Sequence, residues 1–176
     1  MTGKTIVRVQ AELFDAATEC AVLTDGRCDL GALVTFTGLC RDEGGVLQSL
    51  EIEHYPGMAE DEIKRIVADT RERWPVQDIL VIHRFGMITP GEPIVLVATT
   101  GLHRGEAFNA AEFLMDFLKT EAPFWKKQHL KAKGVGGWVS AKKEDEDAAE
   151  KWLAPHKPSE KPEIIPIIKQ AEAKPA

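Results

Sequence analysis

Several things are missing from this sequence. Its 176 residues contain no apolar run near the roughly 18 needed to cross a bilayer. The opening Met-Thr-Gly-Lys-Thr has none of the apolar stretch of a secretory signal, so a cytoplasmic address is expected and no membrane association. Cysteine is scarce and odd in number: Cys20, Cys28 and Cys40 show neither C-x-x-C spacing nor a Cys/His grouping, which argues against a disulfide framework and a structural zinc. No metal is expected. There is no G-x-G-x-x-G after a strand and no P-loop, so nothing points to a nucleotide cofactor, and none is expected. Net positive charge is missing too. With 22 Lys and Arg against 28 Asp and Glu the chain carries −6, which excludes attachment to nucleic acid by bulk charge but leaves room for a local basic pocket.

What is present is ordinary globular material, 44% hydrophobic and 28% charged, of a length suited to one domain with an appendage. Short strand-like runs are expected at Thr5–Val9, Gly31–Gly38 (with a glycine at each end, read as buried), Leu47–His54 (alternating, read as half-buried), Ile79–Phe85, Ile94–Thr100 and Val135–Val139. Helical spacing marks Glu12–Val22, Met58–Trp74 (closed by Pro75), Arg104–Lys119 and the acidic piece Glu144–Trp152. Strands and helices intermixed, with 79–85 and 94–100 as hairpin-like neighbours about Pro90-Gly91, predict an α+β domain over residues 1–154. From Pro155 to Ala176 the chain holds five of its ten prolines and no aromatic residue, so 155–176 is expected to be a flexible tail. Ile164-Ile165-Pro166-Ile167-Ile168 within it is apolar enough to dock in extended form.

Three segments carry candidate chemistry. Lys119 through Lys133 (KTEAPFWKKQHLKAK) sets five lysines against one glutamate in an acidic protein. Lys119 and Lys126 lie two helical turns apart on a path bent by Pro123, so both ammonium groups can overhang one cavity with Phe124 and Trp125 as its apolar wall. Crowded, partly buried ammonium groups lower one another's pKa, which suits a neutral base or nucleophile; if they stay charged, they suit an anion. The plain alternative is a solvated lysine-rich loop. His103 and Arg104 stand where a strand enters a helix, a place for an anion or simply a helix-entry loop. Arg41 follows the glycine-bounded strand, as a phosphate clamp or as the surface partner of Asp42 or Glu43. Cys40, beside that guanidinium, invites a thiol mechanism, but a free cysteine is more often buried packing. His54 and His83 read as core or hydrogen-bonded histidines.

Taken together, GALVTFTGLCRD, LEIEHYPGM, RWP…VIHRFG…PGE, HRGEAF…FLMDFLKTEAPFWKK and a late tryptophan before a helix ending AAEKW resemble the large, catalytic subunit of molybdopterin synthase, from about Thr5 to Trp152. The resemblance implies an α/β hammerhead-type fold with an additional antiparallel sheet. It implies a sulfurtransferase of molybdenum-cofactor synthesis that acts as a central homodimer within a heterotetramer. Each large subunit would bind a small ubiquitin-like sulfur-carrier subunit, whose C-terminal Gly-Gly thiocarboxylate converts cyclic pyranopterin monophosphate to molybdopterin. It assigns catalysis to Lys119 and Lys126 and substrate binding to Arg41, His103 and Arg104, and implies that the chain gathers all five into one anion-binding pocket. A basic residue contributed across the dimer corresponds to Lys142, or by a one-residue slip Lys143, where arginine is the common residue. Two other readings compete. One is a non-catalytic module that binds a ubiquitin-like partner's tail or an anionic ligand. The other is a single-strand nucleic-acid binder using FWKKQHLKAK, which the net acidity opposes.

Overall fold

The computed structural model describes residues 3–132, 134–139 and 143–153. In chain order it contains β1 (Thr5–Gln10), α1 (Ala16–Thr24), β2 (Ala32–Leu39), β3 (Leu47–His54), α2 (Met58–Arg73), β4 (Ile79–Arg84), β5 (Gly86–Ile88), β6 (Pro93–Gly101), α3 (Arg104–Thr120), β7 (Phe124–Leu130), β8 (Gly134–Trp138) and α4 (Lys143–Glu150). The expected tail 155–176 and Lys142 lie outside the described residues. No helix among them is long and apolar enough to cross a membrane.

Two sheets form an α+β architecture, ordered β1-β4-β6-β2 and β5-β3-β7-β8. In the first, β1 runs parallel to β4 while β6 pairs antiparallel with β4 and β2. The second is antiparallel throughout. Buried along its whole length, β4 feeds both faces of the first sheet by simple alternation. Leu80 and Ile82 point to the side covered by Phe14, Cys20 and Leu23 of the α1 region. Ile79 and Val81 point to the side covered by Ile63, Ile66 and Val67 of α2 and by Ala110, Phe113, Leu114 and Phe117 of α3. Phe124, at the start of β7, packs on this second cluster and also on the core of the antiparallel sheet (Cys40, Leu47, Ile52, Ile88), and so ties the two sheets together.

Local chemistry explains most element ends. Helix α1 starts at Ala16, later than the apolar spacing from Glu12 suggests, because Asp15 caps it, its carboxylate accepting from the Thr18 amide at 2.8 Å. Helix α2 opens on Gly57 at φ 84, a left-handed backbone suited to glycine, with its amide donating to Glu60 at 2.8 Å. Strand β2, expected to be buried, is instead the edge of its sheet, and Leu33, Phe36 and Leu39 are exposed by 40, 42 and 58%. A run of β-branched and apolar residues does not reveal whether a second neighbour covers it. The short strand β5 has no signal beyond its three residues.

Two buried polar groups hold the first sheet. Asp78 is fully buried; it accepts from the Lys4 amide at 2.6 Å, the Thr100 hydroxyl at 3.0 Å and the Arg27 guanidinium at 3.1 Å. His83 follows Val81 on the α3 side of β4; its Nδ1–H donates to the Arg84 carbonyl at 2.9 Å and its ring stacks on Phe124 with centroids 3.7 Å apart. Burial pushes the His83 imidazole down from 6.5 to about 3, with the Arg84 hydrogen bond opposing and the charges of Lys126 and His54 assisting.

Two predictions follow from these groups. Asp78→Ala removes the acceptor of the Lys4 amide, the Thr100 hydroxyl and one Arg27 N–H, while Arg27 keeps Asp29 at 2.6 Å, and should lower unfolding free energy by about 2 kcal/mol in chemical denaturation. Because the folded pKa of His83 lies below its unfolded value, its neutral burial costs nothing at high pH. Stability should fall as pH drops from 6.5 toward about 3, by up to ~1.4 kcal/mol per pH unit. Denaturation of His83→Phe across that window should show a shallower acid loss.

Candidate functional site

The first sheet, α3 and β7 meet around three adjoining concavities. A groove of about 460 Å³ runs between β2 and α3, lined by Val34, Phe36, Phe108, Ala111, Met115 and Lys119. Phe36, Met115 and Lys119 also line a cavity of about 170 Å³ that reaches Leu118, Leu39, His83 and Lys126. Leu39, Ile94 and Lys126 in turn line a further cavity of about 350 Å³ with Arg41, Cys40 and Gln128. The surfaces are therefore continuous, with Lys119 at the first junction and Lys126 at the second.

Each lysine arrives there for a local reason. Lys119 is in the last turn of α3, where a cation favours the helix dipole and Pro123 blocks continuation. After the bend the chain becomes β7, which pairs with β3 in the register Ile52↔Lys126 and His54↔Phe124. Alternation then sends Phe124, Lys126 and Gln128 inward, and Trp125, Lys127 and His129 outward. The lysine-rich segment is thus a strand and not a loop. Its period-two pattern was present in the sequence, masked by the lysines on both faces. Of the four described lysines in this segment, only 119 and 126 line the cavity. Lys127 lies over the Trp138 ring at 5.5 Å and 3.8 Å from Glu51, which also accepts from His129 at 2.7 Å. Lys131 donates to the Gly45 carbonyl at 2.9 Å. Lys133 lies outside the described residues. The expected wall also changes. Trp125 is on the outer face, 49% exposed, and Phe124 stands behind His83; Phe36, Leu39, Met115 and Leu118 form the apolar lining instead.

The two ammonium groups differ. Lys119 is about half exposed, and its Nζ donates to Asp145 of α4 at 2.8 Å. Lys126 is largely buried. Burial lowers its pKa, the charge of Lys119 lowers it further, and Asp145 partly opposes both. The site therefore holds one anchored cation beside one amine biased toward its neutral form, the pairing that proton transfer and anion binding require together.

Arg41 is exposed and joins the Lys126 side of this surface. Cys40 is buried at 3% exposure, its thiol 3.8 Å from the Ile88 carbonyl oxygen. His103 and Arg104 do not join the lysines within one chain. They sit at the start of α3, around a separate open concavity with Gly31, Leu102 and Gly105. Fifteen residues of helix separate Arg104 from Lys119, about 22 Å along the axis. The expectation that one chain gathers all these cations into a single cleft is corrected by that length. Lys143 begins α4 and is exposed. Sequence reasoning gave His83 no place in the site; its spacing on an apolar strand was that of a core residue.

A family model described as MoaE protein matches residues 9–121. The molybdopterin synthase catalytic subunit of Mesorhizobium japonicum is 60% identical over 146 residues, covering 83% of this chain and 92% of that protein. Among solved structures, the molybdopterin biosynthesis MoaE protein from Burkholderia ambifaria is 41% identical with a TM-score of 0.73, over 86% of this chain and 99% of that one. A complex of subunits 1 and 2 of the molybdopterin-converting factor from Helicobacter pylori shares the fold at 20% identity and a TM-score of 0.62, over 79% and 90%. With the family model spanning most of the domain and identity this high along nearly the whole of its relatives, the chain belongs to the MoaE protein family.

Proposed function

We propose that this chain is the catalytic subunit of a molybdopterin synthase, a sulfurtransferase of molybdenum-cofactor synthesis. It takes sulfur from the C-terminal thiocarboxylate of a small ubiquitin-like subunit and delivers it to cyclic pyranopterin monophosphate. The observation that carries this reading is the pair Lys119 and Lys126, placed by two different elements on one cavity where the second is biased toward its neutral form. Both reactants are anions, and an acidic chain needs local cations to hold them side by side.

The continuous surface suggests a division of approach. The groove along Phe36, Phe108 and Met115 suits a narrow, extended tail entering toward Lys119. The wider cavity beyond Lys126, with Arg41 on its rim, suits the phosphate-bearing pterin. Lys119 holds the thiocarboxylate as a fixed charge, while Lys126 moves the proton as sulfur attacks and the cyclic phosphate opens. Water then cleaves the acyl–sulfur bond, leaving the tail as a carboxylate and the sulfur on the pterin, and a second thiocarboxylate repeats the transfer. No cysteine is required, because sulfur arrives on the partner.

His103 and Arg104 can serve the same substrate only from a second copy of the chain, since their own lie a helix length away. A homodimer that brings one protomer's α3 start to the other's lysine cavity meets that need, and Lys142 or Lys143 would cross the same boundary. A module that binds the partner's tail without chemistry is the weaker reading: simple anion binding gains nothing from an amine whose charged form is disfavoured.

Incubation with the thiocarboxylated small subunit and pyranopterin substrate should yield the dithiolene product. Lys119→Ala and Lys126→Ala should each reduce product formation by roughly 10²–10⁴-fold with folding intact, whereas Cys40→Ser should stay near wild type. If the site is shared between protomers, mixing inactive Lys119→Ala with inactive Arg104→Ala should restore part of the activity through hybrid dimers carrying one intact site. Continued inactivity of the mixture, with exchange verified, would rule out a site shared between protomers.

A further inference from the structure

Among the described residues, two buried titratable groups on the site, Cys40 and His83, have no task in the mechanism above. His83 lines the cavity that holds Lys119 and Lys126. The Arg84 carbonyl at 2.9 Å can only accept, so Nδ1 carries the proton. In a neutral ring Nε2 then keeps its lone pair, and burial holds the ring neutral. The ring is clamped by Phe124 at 3.7 Å and 13°, and Phe124 lies two residues before Lys126 on the same face of β7. The charged and titratable groups around it are few. Lys126 and His54 act on it from β7 and β3, Lys119 shares the cavity from α3, and Asp145 pairs with Lys119 from α4. The neighbouring Arg84 guanidinium points to the other side, to Glu92 and the Ala11 and Pro93 carbonyls.

We propose that His83 is a positioning residue for Lys126. The two side chains line one cavity with no hydrogen bond between them in this structure. A turn of the Lys126 side chain lets its ammonium donate to the Nε2 lone pair, which aims that amine into the space shared with Lys119. Histidine fits this place because it offers an acceptor without charge. A carboxylate would neutralise the lysine and oppose the anionic guests, and a purely apolar residue would leave a buried ammonium with no acceptor on that wall. This inference rests on the proposed synthase reading for its consequence in turnover, but not for the His83–Lys126 interaction itself.

His83→Phe keeps the aromatic stack and removes both nitrogens; His83→Gln restores an acceptor near the Nε2 position. In protein labelled at lysine Cε, with the resonance assigned by Lys126→Arg, the Lys126 titration midpoint should fall in His83→Phe by about half a pH unit or more. A lost acceptor disfavours the charged form. It should return toward wild type in His83→Gln. Turnover should fall about 10-fold or more in His83→Phe and recover in part in His83→Gln. An unmoved Lys126 midpoint with unchanged turnover in His83→Phe overturns the proposal and leaves His83 a spacer between the sheets. Imidazole nitrogen spectra of the wild type need no variant to fold. They should show Nδ1 protonated and Nε2 bare around neutral pH, and a proton on Nε2 refutes the assignment. Neither spectrum requires substrate, so an inactive wild type with loaded partner would sink the synthase reading while leaving the His83 result to stand or fall alone.

Discussion

The interaction on which the site depends is repulsion: two ammonium groups brought to one partly enclosed cavity with different means of bearing it. Lys119 is half exposed and donates to the Asp145 carboxylate at 2.8 Å. Lys126, largely buried, gives way and is shifted toward the neutral amine. That shift depends on the fold bringing together the end of α3 and the inward face of β7, because Pro123 breaks the helix that would otherwise carry both residues. The close packing of Phe124 on His83 fixes where β7 lies against the first sheet, so the electrostatics at Lys126 rests on an aromatic contact behind it.

Much of the fold was legible in the sequence because its elements obey simple periods. The helices α2 and α3 and the strands β3, β4 and β6 stand close to where apolar spacing put them, bounded by Pro75, Pro123 and the Pro90-Gly91 turn. Failures came where a local pattern is blind to neighbours. The β-branched run of β2 looks the same whether one strand or two flank it, and it proved to be an edge. The lysines of β7 obscured an alternation that places Phe124, Lys126 and Gln128 on one side.

The site was legible in part for the same reason. Lys119 and Lys126 are close in sequence, so a bend alone could bring them together, and spacing was enough to pair them. Arg41 reaches the Lys126 side by long-range pairing that no local pattern encodes; only the resemblance placed it there. His103 and Arg104 show the reverse. The same resemblance put them beside the lysines, but a straight helix of seventeen residues keeps them apart in one chain. His83 went unassigned because a histidine on an apolar strand looks the same whether it fills space or faces a cavity.

The net charge of −6 bears on how such a site can select its guests. An acidic surface repels anions at long range, so steering by bulk charge works against both proposed reactants. Binding must come instead from contacts made after arrival, in a partly enclosed place where Lys126, the more buried of the cations, is screened less than Lys119 and Arg41. A protein tail suits this situation, because docking of its folded domain elsewhere holds the terminal charge near the cavity and replaces diffusion of a free anion with a local equilibrium. The groove along β2 and α3 is largely apolar, with the Glu112 and Asp116 carboxylates of its wall paired to Lys151, so it gives such a tail mainly apolar contacts, and Lys119 stands where it opens on the cavity. Specificity for the tail would then be set by shape in the groove, and reactivity by the neutral bias of Lys126, two properties that mutation should be able to separate.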